Sequence, residues 1–87
     1  MMAVELREDV LLRLRKIEGQ VRGLQRMIDE GKDCADVVYQ LSAARRALDK
    51  VGFLILSHRM QECMERKSGG ESDRSMEEAM ELFLSLA

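Results

Sequence analysis

The sequence contains no proline and no tryptophan, and aromatic residues make up only 3% of its 87 residues. Proline breaks helix interiors, so its absence fits a chain that is mostly long helices. With so few aromatic side chains, the core has to be built from Leu, Val, Ile, Met and Ala. A chain of this length buries little apolar surface by itself, and we therefore expect it to oligomerise.

Only two cysteines are present, which is too few for the disulfide framework of a small secreted domain. No apolar run approaches the ~20 residues of a membrane span, and the N-terminus lacks the pattern of a signal peptide. We therefore expect a cytoplasmic protein that has no membrane partner. In that compartment thiols rest in the reduced state, and a disulfide would act as a signal.

The net charge of −2 argues against a protein that coats nucleic acid, but the charges are unevenly distributed. The balance is +2 over residues 1–26, with six basic and four acidic groups, and +3 over residues 45–67, with six and three. It is −3 over residues 27–44, with one basic and four acidic groups, and −4 over residues 68–87, with one and five. The chain therefore alternates between basic and acidic stretches.

Apolar residues recur at steps of four and three along two long stretches, which predicts two helices with seams of the heptad type. The first helix should span residues 4–29 and stop before Gly31. The second should span residues 33–66, with Asp33 as its N-cap. The simplest interpretation of both seams is a hydrophobic core. The seam residues are Val10, Leu14, Ile17, Val21, Leu24 and Ile28, then Val37, Leu41, Ala44, Leu48, Val51 and Ile55.

A third, shorter helix is predicted over residues 75–86, after a break at Ser68-Gly69-Gly70. Its apolar face consists of Met76, Ala79, Met80, Phe83 and Leu84. We therefore predict a single all-α domain over residues 1–87. Its protomer is an antiparallel hairpin of two long helices with a short third helix, and it assembles with other copies into a bundle.

The two cysteines, Cys34 and Cys63, lie 29 residues apart on the second predicted helix. At about 100° and 1.5 Å per residue, they share one face and are separated by roughly 43 Å along the axis. A disulfide needs Cα atoms within about 7 Å, so one straight helix cannot pair them. An antiparallel pair of these helices, centred near Leu48 and Asp49, would place Cys34 opposite Cys63 of the other chain. The two-fold axis then generates a second, identical site.

The surroundings of the two thiols favour their charged form. Cys34 lies in the first turn of its helix, where unpaired backbone N–H groups and the dipole favour a thiolate. Arg59 precedes Cys63 by one helical turn and is placed to stabilise a second thiolate. Neighbouring thiolates are what a sensor of oxidants or electrophilic sulfur requires. The structural alternative, two ordinary core cysteines, is left open by this pattern.

Metal binding is the competing interpretation of the cysteines. His58 is the only histidine, and it lies about 140° around the helix from Cys63 and about 120° from Cys34. Arg59 occupies the place of a third ligand, and a guanidinium does not coordinate metals. Zinc would lack ligands, whereas two thiolates are enough for a soft ion such as Cu(I).

Basic residues on the first two helices form a possible phosphate-binding surface. Such clusters contact nucleic acid in some proteins and are only a solvated helix face in others. No spacing typical of a helix-turn-helix accompanies them, although a multimer would repeat the cluster and strengthen its field. The candidate DNA-binding residues are Arg13, Arg15, Lys16, Arg22, Arg26, Arg45, Arg46 and Lys50.

The segment RLRKIEGQVRG at residues 13–23, followed by a cysteine that opens the second helix, resembles the copper-sensing repressor family (CsoR-type). This family also includes nickel/cobalt and formaldehyde sensors, and the resemblance covers residues 11–48 and continues to Cys63. It implies an all-helical dimer that assembles as a dimer of dimers. It also implies binding to operator DNA, and release when an inducer occupies a site between the subunits.

Departures from the family pattern indicate a subtype. Copper sensors of the family use Cys, His and Cys, and Arg59 stands at the histidine position. The nickel/cobalt sensors use several histidines, and the formaldehyde sensors have a proline where this chain has Met2. The persulfide-sensing branch (CstR-type) resembles this chain in having two cysteines at this spacing and no histidine ligand.

The sequence therefore predicts a repressor, without enzymatic activity or a bound cofactor, that persulfide releases from operator DNA. The inducer would link Cys34 and Cys63 of two chains through a disulfide or polysulfide. The nearest alternative is a Cu(I)-responsive repressor that uses the same two thiolates. Two further alternatives are a thiol enzyme, such as a small peroxidase or sulfur carrier, and a purely structural oligomerisation module.

Overall fold

The computed structural model describes residues 4–65 and 71–86, and within these ranges all regular structure is helical. Helix α1 spans Val4–Asp29, helix α2 spans Cys34–Glu65 and helix α3 spans Glu71–Leu86. The predicted all-α fold with three helices is confirmed. Among the described helices, none is both long enough and apolar enough to cross a membrane.

The predicted helix boundaries agree with the structure except at the start of α3. This helix begins at Glu71, four residues before the predicted residue 75. The prediction took the first apolar residue, Met76, as the guide, whereas the preceding polar residues also adopt helix. Acidic residues in that first turn, Glu71 and Asp73, favour the positive end of the helix dipole. The predicted Ser68-Gly69-Gly70 break lies outside the described residues.

The connection between α1 and α2 is a tight, hydrogen-bonded turn around Gly31. Gly31 has a positive φ of 70°, a conformation that other residues adopt only with strain. Its N–H donates to the Ile28 carbonyl at 3.1 Å, and the Lys32 N–H donates to the Met27 carbonyl at 2.9 Å. This pair of bonds is a Schellman motif, which ends α1 and sends the chain back. On the other side of the turn, the Val37 N–H donates to the Asp33 carbonyl at 3.1 Å, so Asp33 stands at the N-cap as predicted.

Replacing Gly31 by Ala should lower the stability of the protein by about 1–2 kcal/mol, because the added Cβ is strained at positive φ. The matched control is Gly19→Ala, in the interior of α1, where an added Cβ would meet nothing within 4 Å. That substitution should stabilise by up to about 1 kcal/mol through helix propensity. Thermal unfolding at one fixed subunit concentration measures both changes. Equal melting temperatures for the two variants would contradict the assignment of the turn.

The structure divides into two compact units, and the first consists of α1 with α2 as far as Val51. In this unit the two helices run antiparallel, since Leu11 and Leu14 near the start of α1 share a groove with Leu48 late in α2. The core side chains are at most 9% exposed. They are Val10, Ile17 and Leu24 from α1 and Ala44 and Val51 from α2.

Only alternate members of each predicted seam are buried in this chain. The intervening α1 residues Leu14, Val21 and Ile28 are 38%, 41% and 65% exposed, and Leu41 and Leu48 of α2 are 55% and 47% exposed. The prediction that both seams form the core of the chain is therefore wrong for these five residues. The physical reason is that one partner helix covers one side of a heptad seam and leaves the other side bare.

The second unit consists of α2 from Gly52 onward together with α3. Leu56 and Ala79 are buried, and the rings of Phe53 and Phe83 lie 6.5 Å apart at 50° to each other. The apolar face predicted for α3 is buried only at Ala79, while its four larger residues remain at least 44% exposed. The single domain over residues 1–87 stays a prediction.

Candidate functional site

Cys34 is the first residue of α2, and its thiol is free and exposed. The first backbone N–H groups of a helix have no partner within it, so the thiol lies at the end that favours negative charge. The predicted position of Cys34 in the first turn is therefore confirmed. An exposed thiol does not fit the alternative of an ordinary core cysteine.

Cys63 lies near the other end of the same helix, which continues without interruption from Cys34 to Glu65. The side chain of Cys63 is outside the described part of the structure. The structure therefore places both cysteines on one helix, as the spacing requires. That Cys63 meets Cys34 of another chain stays a prediction.

Arg59 is held by two carboxylates. Its Nη2 lies 2.6 Å from Oε1 of Glu78 on α3, and its Nη1 lies 3.6 Å from Oε1 of Glu62, one turn further along α2. Its Nε is buried and has no hydrogen-bond partner among the described atoms. The predicted thiolate-supporting role of Arg59 stays a prediction, and it would require the guanidinium to exchange a carboxylate for a thiolate. The contact with Glu78 was missed because sequence periodicity does not relate positions on α2 to positions on α3.

His58 is engaged by the same carboxylate, since its Nε2 lies 3.7 Å from Oε2 of Glu62. Among the described side chains, no three His, Cys, Asp or Glu residues are grouped as metal ligands. A nitrogen-rich site for nickel does not fit a chain with one histidine. Two thiolates fit Cu(I), which accepts soft sulfur ligands and low coordination numbers.

The predicted basic residues are accessible, and the fold brings three of them together. Arg13 and Lys16 of α1 and Lys50 of α2 line one depression of about 270 Å³ in the first unit. Arg15 lines a different groove, and Arg13 is the one member that is only partly exposed. The other candidate residues are exposed along the helices and line neither of these two surfaces: Arg22, Arg26, Arg45 and Arg46.

An apolar groove of about 520 Å³ runs between α1 and α2. The bare seam residues Leu14, Val21 and Leu48 line it together with Leu11. Arg15 and Glu18 are its charged lining residues. An exposed apolar surface of this kind indicates a contact with another protein chain.

An exposed thiol at a helix start, a basic surface and an uncovered apolar seam are features of a small helical regulator that responds to a ligand. Comparison with known families agrees, because the family described as metal-sensitive transcriptional repressor matches residues 6–85. The chain belongs to this family.

Known members of this group are similar over most of the chain. The copper-sensing transcriptional repressor RicR of Mycobacterium tuberculosis is 43% identical over 70 residues, which are 77% of this chain and 73% of RicR. The copper-sensing transcriptional repressor CsoR of Bacillus subtilis is 30% identical over 78 residues, 88% of this chain and 77% of CsoR. The structure of the nickel-responsive transcriptional regulator InrS superposes with a TM-score of 0.83 at 32% identity, covering 99% of this chain and 94% of InrS.

These comparisons confirm the predicted family and the prediction of a transcriptional repressor that is not an enzyme. They leave no place for a thiol enzyme or for a purely structural module. The named relatives sense copper or nickel, and none of them is named as a persulfide sensor. Copper responsiveness, the alternative at the level of sequence, is therefore better supported than persulfide sensing, which stays a prediction.

Proposed function

We propose that this repressor leaves its operator DNA when Cu(I) binds to Cys34 of one subunit and Cys63 of another. The observation that carries the proposal is the free, exposed Cys34 thiol at the first residue of α2. The second soft ligand, Cys63, lies on the same uninterrupted helix at the spacing that suits an antiparallel pair. The copper-sensing relatives RicR and CsoR support the choice of metal.

The proposed site is complete only in an oligomer. The bare seam residues of α1 and α2 supply the surface that a second copy would cover, because they repeat every seven residues and line one groove. An antiparallel copy generates two equal dithiol sites per dimer. Assembly of two dimers into a tetramer is proposed from the resemblance to the family.

Binding of Cu(I) releases DNA only if the ion binds the free repressor more tightly than the DNA-bound repressor. Two thiolates on different subunits provide such a difference, because joining them fixes the relative position of the paired helices. The basic residues of α1 and α2 are carried by these same helices. A change in their spacing then separates them from the DNA phosphates they contact.

A second candidate inducer is a low-molecular-weight persulfide, and Arg59 is the observation that favours it. Arg59 lies one turn before Cys63, where a third metal ligand would be expected, and it is held there by Glu78 and Glu62. A guanidinium at this position suits an anionic sulfur species and coordinates no metal. Thiol chemistry needs no third ligand.

The persulfide reaction would proceed in two balanced steps. The Cys34 thiolate attacks the outer sulfur of a persulfide RSSH, so that Cys34 carries the transferred sulfur and RSH leaves. The Cys63 thiolate of the partner subunit then attacks the inner sulfur, forms the disulfide and expels hydrosulfide. The sulfane sulfur is the oxidant and ends as sulfide. Retention of that sulfur would give a polysulfide bridge instead.

Substitution of Arg59 separates the two inducers. Arg59→Ala should leave Cu(I)-induced release of DNA unchanged, because the guanidinium is not a ligand. Arg59→His should tighten Cu(I) binding at least tenfold, because it adds an imidazole one turn before Cys63. Operator binding by fluorescence anisotropy, with free Cu(I) set by a competing chelator, measures both effects.

The control variant is His58→Ala, which should leave Cu(I) affinity unchanged. In parallel, glutathione persulfide is added to the reduced protein, followed by non-reducing mass spectrometry. DNA release with Cu(I) and no covalent dimer would support the copper proposal. A covalent dimer with DNA release by persulfide, and no release by Cu(I), would overturn it in favour of the second candidate.

A further inference from the structure

The basic depression of the first unit contains one acidic side chain among its cations. Its basic lining residues are Arg13, Lys16 and Lys50, and Asp9 lies at the same surface. Leu12, Ile17 and Ala47 contribute apolar lining. The lining therefore carries a net positive charge, with cations arriving from two helices.

Asp9 holds one of the three cations. The Arg13 Nε donates to Oδ1 of Asp9 at 3.1 Å, one turn apart on α1. Both side chains are partly exposed, at 37% and 45%. The carboxylate therefore occupies the guanidinium with the same kind of charge-assisted bond that a phosphate oxygen would make.

Gln20 supplies a second, independent observation at this surface. Its side chain lines the depression, and its Oε1 is buried with no hydrogen-bond partner among the described atoms. A buried polar atom without a partner is costly, so native structures usually satisfy such atoms. The carboxamide can present either its oxygen or its NH₂ group to a ligand or to a neighbouring lysine. The depression therefore carries an unused polar group beside its cations.

The depression remains open when the apolar groove is covered. On α1 the two surfaces lie on opposite sides, since Lys16 and Leu14 differ by about 160° around the helix. On α2 Lys50 and Leu48 likewise differ by about 160°. A second subunit that covers the groove therefore leaves the depression accessible to another anion.

We propose that this depression seats a backbone phosphate of bound DNA, and that Asp9 competes with this phosphate for Arg13. The inference rests on the proposed function as a DNA-binding repressor. In the free protein Asp9 neutralises Arg13 and holds it in place. In the complex the carboxylate repels the phosphate, so Asp9 lowers DNA affinity.

Asp9→Asn tests this role, because it keeps the shape and the acceptor oxygen and removes only the charge. We expect a roughly tenfold tighter complex with DNA, and a dependence of affinity on salt that is steeper by about one unit in log–log slope. The matched control is Glu8→Gln, which removes the same charge from an exposed neighbour outside the depression. It should change affinity less than threefold.

Lysine variants test the depression itself. Lys50→Gln and Lys16→Gln should each weaken DNA binding and reduce the salt slope by about one, whereas Lys32→Gln in the turn should do neither. Asp9→Ala is a second variant that should also tighten binding. Equal effects of Asp9→Asn and Glu8→Gln, or weaker binding by Asp9→Asn, would overturn the proposed competition.

The same experiments separate this inference from the proposed function. A wild-type protein that binds no DNA would contradict the repressor proposal itself. The alternative source of a phosphate group is free inorganic phosphate, which is tested by thermal stabilisation of the wild type and Lys50→Gln. Phosphate stabilisation that Lys50→Gln abolishes, with unchanged DNA affinity in that variant, would assign the depression to the free ion and overturn the DNA assignment.

Discussion

Replacing Cys34 by Ala should abolish the response to the inducer and leave operator binding intact. Cys34 is an exposed thiol at the start of α2 and belongs to neither the core nor the basic depression. Its loss removes one of the two sulfur ligands of the proposed site and leaves the folded dimer unchanged. Anisotropy titrations of operator DNA, with and without inducer, should show wild-type affinity and no release. Cys63→Ala should behave in the same way.

Mixing the two cysteine variants provides a sharper test of a site shared between subunits. A heterodimer of Cys34→Ala with Cys63→Ala brings Cys34 of one chain opposite Cys63 of the other at one end, and two alanines together at the other end. One intact site is thereby restored, although neither homodimer has any. Recovery of a partial response after subunit exchange is expected. A mixture that stays unresponsive, or a single variant that still responds, would sink the inter-subunit site.

Replacing Leu48 by Asp should break the oligomer and lower operator affinity by at least 100-fold. Leu48 is 47% exposed in the chain, lines the apolar groove and lies near the centre of the proposed two-fold axis. Two carboxylates would be buried side by side there without partners, which strongly disfavours association. The loss of the second subunit removes half of the phosphate contacts, and affinity depends steeply on their number. Analytical ultracentrifugation measures the oligomeric state.

The matched control for this variant is Tyr39→Asp, also an exposed residue of α2 but about 180° around the helix from Leu48. It should remain oligomeric and bind operator DNA. Circular dichroism should show helix content in both variants, since Leu48 is not one of the buried core residues of the chain. A Leu48→Asp protein that still sediments as the wild type would contradict the proposed interface.

Much of the fold follows from local sequence patterns. The bounds of α1 and the start of α2 follow from seam spacing, Gly31 and Asp33, because caps and turns are local features. Burial did not follow, since the period of a seam identifies a face without saying which chain covers it. Leu14 and Ile17 look alike in the pattern, yet only Ile17 is buried within the chain.

The site was predictable only where it depends on one helix. The placement of Cys34 and Cys63 follows from helix geometry, whereas the pairing of Arg59 with Glu78 depends on how α2 and α3 pack. Lys50 joins Arg13 and Lys16 for a similar reason, because two helices must come together to form the depression. The choice between Cu(I) and persulfide does not follow from the sequence, since both use the same two sulfur atoms.

The bare half of each seam also has a consequence for gene dosage. A lone subunit holds half of each proposed dithiol site, so newly made chains are inactive until two of them meet. Below the dissociation constant of the proposed dimer, the concentration of complete sensor falls with the square of the subunit concentration. Halving expression would then leave about a quarter of the working repressor. Leu14, Val21 and Leu48 thereby make repression respond to supply with a threshold.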